Sequence, residues 1–321
     1  MNVLEVHGVS RSFRTAAGDV SALDDVSLSL EAGELVGLLG LNGAGKTTLL
    51  KIASTLLLPS SGTVRVCGHD VVTRPREAQR LLSLVLGGDR GLYARLSARD
   101  NLRFFASLAG LRGTVLKRAA EEAIGFVGLD AAADRLVETY SKGMRQRLHL
   151  AIGMVTRPQL LLLDEPTVGL DWPEAVKIRA AVARMRDEGT AVLLTSHYLQ
   201  DIEQLAERVV VLHHGHVLHD MPLAHLLARA RTAAVVDLTG HGRLPAVDAF
   251  PSSDEAWVER AEEHGDGWTI RINLRSWSPD ALRALVGLWP DRQIATVQVT
   301  PSGLHEVFAE LAAAERKQPV S

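Results

Sequence analysis

The feature that most narrows what this chain can become is the stretch GLNGAGKTT, Gly40 to Thr48. It follows an apolar run, Leu35 to Leu39, and opens a helix-period stretch, TTLLKIASTLLL, that Pro59 ends. That order predicts strand, loop, helix. Gly40, Gly45, Lys46 and Thr47 satisfy the P-loop pattern in the context that confirms it. Gly43 and Gly45 admit backbone dihedrals closed to other residues, so successive N–H groups can curl around a phosphate chain, with Asn42, Ala44 and Thr48 completing the nucleotide-binding loop. The helix N-terminus adds partial positive charge, Lys46 can reach the β- and γ-phosphates of a nucleotide, and the Thr47 hydroxyl can ligate magnesium.

Similar apolar runs recur at Leu81 to Leu86, Leu160 to Leu163, Ala191 to Leu194 and Val209 to Leu212. Continuous Val/Leu runs of this length suit strands buried on both faces, as in a parallel sheet covered by helices, so the predicted class is α/β. Between Ser97 and Val155 helix signals dominate: SARDNLRFFASLAG opens on a capping serine, and TVLKRAAEEAIGFVGL repeats apolar residues at three and four. A helical insertion over about 90–157 is expected. Beyond Met221 alternating segments such as WTIRINL and IATVQV mix with the helical SPDALRALVGL. This predicts an α/β domain over 1–221 and a small α+β accessory domain over 222–321.

Composition excludes several other classes. With 46% hydrophobic and 23% charged residues the chain is globular rather than disordered, and a net charge of −3 gives no global pull toward nucleic acid or an anionic membrane. The lone Cys67 allows no intrachain disulfide and fits a reducing cytosol. The N-terminus shows no secretion signal, and no apolar run reaches the roughly 18 to 20 residues of a spanning helix.

Three later motifs carry chemistry. LLLLDEP sets Asp164 and Glu165 at the end of an apolar strand, where Asp164 can hold magnesium through a water and Glu165 can orient or deprotonate an attacking water. YSKGMRQRL starts a helix 23 residues before Asp164, with Ser141 as its cap and Gly143 leaving the backbone open to an anion. Ser196 and His197 follow the strand AVLLT.

Together these residues resemble the ATP-binding subunit of an ABC transporter, with the motifs in family order over roughly residues 3 to 221. The resemblance implies ATP and Mg2+ as ligands and a head-to-tail dimer in which Ser141, Lys142, Gly143 and Met144 act on the partner's site. It likens Asp171, ending PTVGLD, to the loop joining the two sites, His197 to a γ-phosphate switch, and Phe13 to the aromatic that stacks on adenine. It implies a separate transmembrane permease, a position on the cytoplasmic face of the membrane and no nucleic-acid partner. The tail, ending in VQVTPSGLHEVFAEL, resembles drug-export-type subunits, which favours export.

The chain departs from that family in two places. YSKGM stands where the family's signature motif, LSGGQ, is usual, placing Lys142 and Met144 at the Gly and Gln positions. In GGDRGLY, Gly88 occupies the place of a glutamine that in the family contacts magnesium, so either Asp89 or a water substitutes, or coupling uses the backbone alone. Other features read as structure: His213, His214, His216 and His219 as a tight turn between strands, Trp257, Trp268, Trp277 and Trp289 as core filling, and Arg74, Arg76 and Arg80 as a solvated helix face.

Overall fold

Every residue of Leu35–Leu39 (β3) and of Ala191–Thr195 (β8) is buried, as are the four leucines of Leu160–Asp164 (β7). In the computed structural model these runs are central strands of one sheet, buried on both faces, as continuous Val/Leu segments require. The structure describes residues 2–15, 18–87, 91–228, 232–244, 255–286, 294–301 and 303–304. By its contacts the chain divides into two units, Met1–Leu223 and Ala224–Ser321.

In the first unit, long strands Asn2–Thr15 (β1) and Gly18–Glu31 (β2) pair antiparallel and join Ser61–Val66 (β4) and His69–Asp70 (β5) in a sheet of order β2-β1-β4-β5. The second sheet adds Leu82–Leu86 (β6), Arg208–His213 (β9) and His216–Pro222 (β10), in the order β10-β9-β3-β8-β7-β6. All of its pairings are parallel except that of β10 with β9. Helices Lys46–Ala53 (α1), Pro75–Gln79 (α2), Trp172–Asp187 (α6) and Leu199–Leu205 (α7) connect the strands. Leu38, Leu49, Ile52, Leu162, Leu193 and Val210 share the main core.

Helices Ala98–Leu108 (α3), Gly113–Phe126 (α4) and Lys142–Met154 (α5) build a separate core around Leu102, Ile124 and Leu148. Ser97 caps α3, its hydroxyl accepting from the Asp100 N–H at 3.0 Å. Among the described residues no helix is long and apolar enough to cross a membrane.

One helix ends early. The periodicity of TTLLKIASTLLL extends to Leu58, yet α1 stops at Ala53, because Thr55 turns into the left-handed region (φ 66°) and Leu56 and Leu57 both donate to the Lys51 carbonyl. The chain closes the helix by these backbone bonds, joined by the Ser54 hydroxyl donating to the same Lys51 carbonyl at 3.2 Å, a signal that side-chain periodicity does not carry.

The short helix Leu223–Leu227 (α8) spans the division between the units. In the second unit Ala234–His241 (β11), Ala256–His264 (β12), Gly267–Leu274 (β13) and Ile294–Pro301 (β14) form an antiparallel sheet of order β12-β13-β11-β14, accompanied by Pro279–Val286 (α9). Alternation along β13 turns Trp268, Ile270 and Ile272 onto Val236, Leu238 and Leu285. Trp268 thus fills core, whereas Trp277 is 44% exposed and Trp289 lies outside the described residues. His214 (φ 44°) and Gly215 (φ 83°) make the tight turn between β9 and β10, and Arg74, Arg76 and Arg80 are exposed around α2.

Trp268 is 2% exposed at the centre of the smaller core. Trp268→Ala is expected to destabilise the second unit by about 3–5 kcal/mol. Hydrogen exchange of the β11 and β13 amides should accelerate accordingly, and unchanged exchange would show that the ring is not an organising core residue.

Candidate active site

Strand register assembles the site. Leu38 lies opposite Thr195, Thr195 opposite Asp164, and Asp164 opposite Leu86, so β3, β8, β7 and β6 finish in line. This carboxyl edge is where open α/β sheets bind ligands.

Leaving β3, the chain turns through Gly40, Gly43 and Gly45 at φ of 151°, 85° and 106°. Side chains are excluded for space as well: a Cβ on Gly40 would meet Ala44 Cβ at 2.9 Å, and one on Gly45 would meet Leu23 Cδ2 at 2.7 Å. Asn42 and Gly43 are exposed at the tip, Ala44 is buried and Thr48 half-buried. Gly45 begins α1 without a side-chain cap, so the first-turn N–H groups are available to an anion.

Lys46 is 9% exposed, and its ammonium donates to the carbonyls of Gly40 at 2.6 Å and Leu41 at 3.1 Å. Burial pushes its pKa below the usual lysine value, against the pull of Glu165 and Asp164. Out of water its charge is less screened, so a polyphosphate beside it would be held more firmly than at an exposed lysine. Asp164 divides its oxygens: Oδ2 accepts from Thr47 Oγ1 at 3.3 Å and Oδ1 from Thr195 Oγ1 at 2.6 Å. A hydroxyl beside a carboxylate, both hard oxygen donors, fits Mg2+.

Glu165 adopts φ 54°, and its N–H donates to the Thr195 carbonyl at 3.0 Å. Its Oε1 stands 2.5 Å from Nε2 of His197, which is nearly half exposed. Gly87, at the end of β6, donates to the Asp164 carbonyl at 2.7 Å. Gly88 and Asp89 lie outside the described residues.

The structure gathers the signature segment and Asp171 into a second group. The Ser141 hydroxyl caps α5 by accepting from the Met144 N–H at 3.2 Å, while Asp171 caps α6 by accepting from the Glu174 N–H at 3.0 Å. Glu174 joins the two helix starts: its Oε2 accepts from Arg147 Nε at 3.0 Å, and a Cβ on Gly143 would stand 2.6 Å from that oxygen. Lys142 is exposed and lies against Gly169. Phe13 is half-buried on β1 opposite Val20, with the Arg11 guanidinium 4.7 Å from its ring centroid.

Similarity to known proteins agrees with this geometry. The ABC transporter family pattern matches residues 23–168. The daunorubicin/doxorubicin resistance ATP-binding protein DrrA of Streptomyces peucetius is 43% identical over 296 residues, covering 90% of this chain and 87% of that protein. The chain belongs to the ABC transporter family. The ABC transporter ATP-binding protein NatA of Bacillus subtilis is 37% identical over 223 residues, 70% of this chain and 91% of that protein. A dimeric ATP-binding cassette solved with ADP and Pi superposes with a TM-score of 0.61 at 23% identity, covering 68% of this chain and 98% of its own, and so shares the fold. This chain is accordingly an ABC-type ATPase that binds ATP, similar to subunits of drug-resistance systems.

Several polar residues of the cassette escape sequence reasoning. Thr167 and Arg179 are buried and both bonded to the buried Asp201, Thr195 is buried against Asp164, and Arg147 and Glu174 brace the helix that Ser141 caps. In sequence they read as an ordinary strand end and ordinary helix charges. The one available signal was the DEPT and SHYLQD context, in which Thr167 and Asp201 follow named site residues closely.

A Cβ on Gly87 would stand 2.7 Å from the Glu165 carbonyl oxygen and 3.0 Å from that of Asp164, both backbone atoms with little room to give. Gly87→Ala is therefore expected to displace the Asp164–Glu165 segment and lower ATP turnover by about 100-fold, the effect of a misplacement near 1 Å. Nucleotide binding measured by fluorescent ATP titration should persist; wild-type turnover would refute the close approach.

Proposed function

We propose that this chain is the ATP-hydrolysing subunit of an export system, driving a separate membrane permease through ATP-dependent head-to-tail closure of two such subunits. The contact of Glu165 with His197 at 2.5 Å, beside Asp164 and Thr47 at the end of a P-loop strand, carries the reading. Lys46 and the loop N–H groups from Gly40 to Thr48 hold the phosphates, and Phe13 stacks on the base. Thr47 and Asp164 are the residues that would hold Mg2+, which when bound offsets charge on the phosphate oxygens. Glu165 accepts the proton of the attacking water and His197 steadies the γ-phosphate. Catalysis by this set is chiefly positioning and charge stabilisation.

Ser141, Lys142, Gly143 and Met144 complete the site of the partner subunit, and Asp171 links the two sites. The dimeric state of the cassette that shares this fold supports the pairing. The second unit is read as an accessory α+β domain following an ATPase domain that ends near residue 221. The similarity to a drug-resistance ATP-binding protein of Streptomyces supports export, and the proposed substrate is a drug, lipid or glycan. The subunit sits at the cytoplasmic face of the membrane, held there by its permease.

Glu165→Gln removes the base and keeps the shape, and is expected to bind MgATP while hydrolysing it about 100- to 10,000-fold more slowly. Light scattering should show the variant dimeric with ATP and monomeric without it. In a pull-down from detergent-solubilised native membranes it should retain a polytopic membrane protein. Near-normal turnover would overturn the role of Glu165; ribosomes or nucleic acid in place of a membrane partner would overturn the transport reading.

A further inference from the structure

Asp201, in the first turn of α7, is 1% exposed and takes no part in the chemistry described above. Its Oδ1 accepts from Arg179 Nη1 at 2.8 Å, across to α6. Its Oδ2 accepts two hydroxyls, that of Thr167 in a short contact and that of Ser196 at 2.8 Å. Thr167 is 2% exposed, Ser196 6% and Arg179 7%, so the whole group is shut away from water.

The two hydroxyls flank the reacting pair in the chain. Thr167 follows Glu165 by two residues, and Ser196 immediately precedes His197. Ser196 Oγ also accepts from the Tyr198 N–H at 3.0 Å, so it fixes the backbone on both sides of His197. One carboxylate oxygen therefore ties the loop carrying Glu165 to the loop carrying His197.

An ion pair that merely fastened α7 to α6 would need Arg179 alone, and desolvation makes such a pair a weak source of stability. Convergence of Oδ2 on two loops serves a different end. Charge-assisted hydrogen bonds in a dry site are short and stiff, which suits them to holding a distance.

We propose that Asp201 is a positioning residue that sets the separation of Glu165 and His197 for ATP hydrolysis, acting through the hydroxyls of Thr167 and Ser196. The proposal rests on the roles given above to Glu165 and His197. Neither Thr167→Val nor Ser196→Ala breaks the buried ion pair, so both variants keep the helix contact while each removes one tether.

The test is steady-state MgATP hydrolysis and thermal melting of the full-length chain carrying Ser196→Ala or Thr167→Val, alone and combined with His197→Ala. Each single variant is expected to lose about 10-fold in kcat with KM within about twofold of wild type. In the His197→Ala background the same changes should cost nothing further, because the distance they hold no longer matters. Wild-type kcat in both single variants, or an equal loss with and without His197, would overturn the proposal, the latter assigning the group to stability alone. Glu165→Gln, run beside them, separates the two levels. Slow hydrolysis there with full activity in both hydroxyl variants removes Asp201 only, whereas normal turnover in Glu165→Gln overturns the catalytic pair and this inference with it.

Discussion

Parallel strands buried on both faces cannot slide past one another without moving every core contact, and that constraint fixes the catalytic edge of this ATPase. Because Leu38, Thr195, Asp164 and Leu86 lie abreast, the loops that leave their strands start from one line. A slip of one residue would turn each side chain to the opposite face and carry Asp164 away from both Thr47 and Thr195. The polar groups at the sheet's end inherit their precision from the apolar groups in its middle.

At that end the backbone is held in a costly shape. Glu165 is one of few non-glycine residues with positive φ, a conformation disfavoured by about 1–2 kcal/mol. Three contacts hold it there: its N–H on the Thr195 carbonyl, the Val168 N–H on its own carbonyl, and the Thr167 hydroxyl on Asp201 two residues on. The strain turns the Glu165 carboxylate toward His197, as the roles proposed for the two residues require.

Much of this was legible in the sequence, and the boundary of legibility has a physical cause. The P-loop, the DE pair and the capping serines at Ser97 and Ser141 are local, each a few residues whose chemistry and neighbours lie together in the chain. The buried strands were legible because their periodicity is that of a parallel sheet. What could not be read depends on contacts between distant segments. Asp201 looks like an exposed first-turn acid until α6 brings Arg179 to it, and Glu174 like a surface charge until α5 brings Gly143 and Arg147. The overlong reading of α1 failed for a related reason: Lys51 accepts from Leu56 and Leu57 through backbone atoms, which side-chain identity does not announce.

The signature segment shows how a departure from family pattern can be judged on geometry. Two of its residues are fixed by shape. Ser141 supplies the cap of α5, and Gly143 faces a Glu174 carboxylate pinned by Arg147, with no room for a Cβ. The residues that differ from the usual LSGGQ face elsewhere: Lys142 is exposed against Gly169, and Met144 packs at the edge of the helical core. Neither substitution disturbs the helix start or its free N–H groups. Lys142 even sets a cation at the end of the helix that already favours an anion, an arrangement that opposes the helix dipole in isolation and gains when a phosphate is brought to it. YSKGM therefore keeps the serine that caps the helix and the glycine that fits against Glu174, and varies two side chains that face elsewhere.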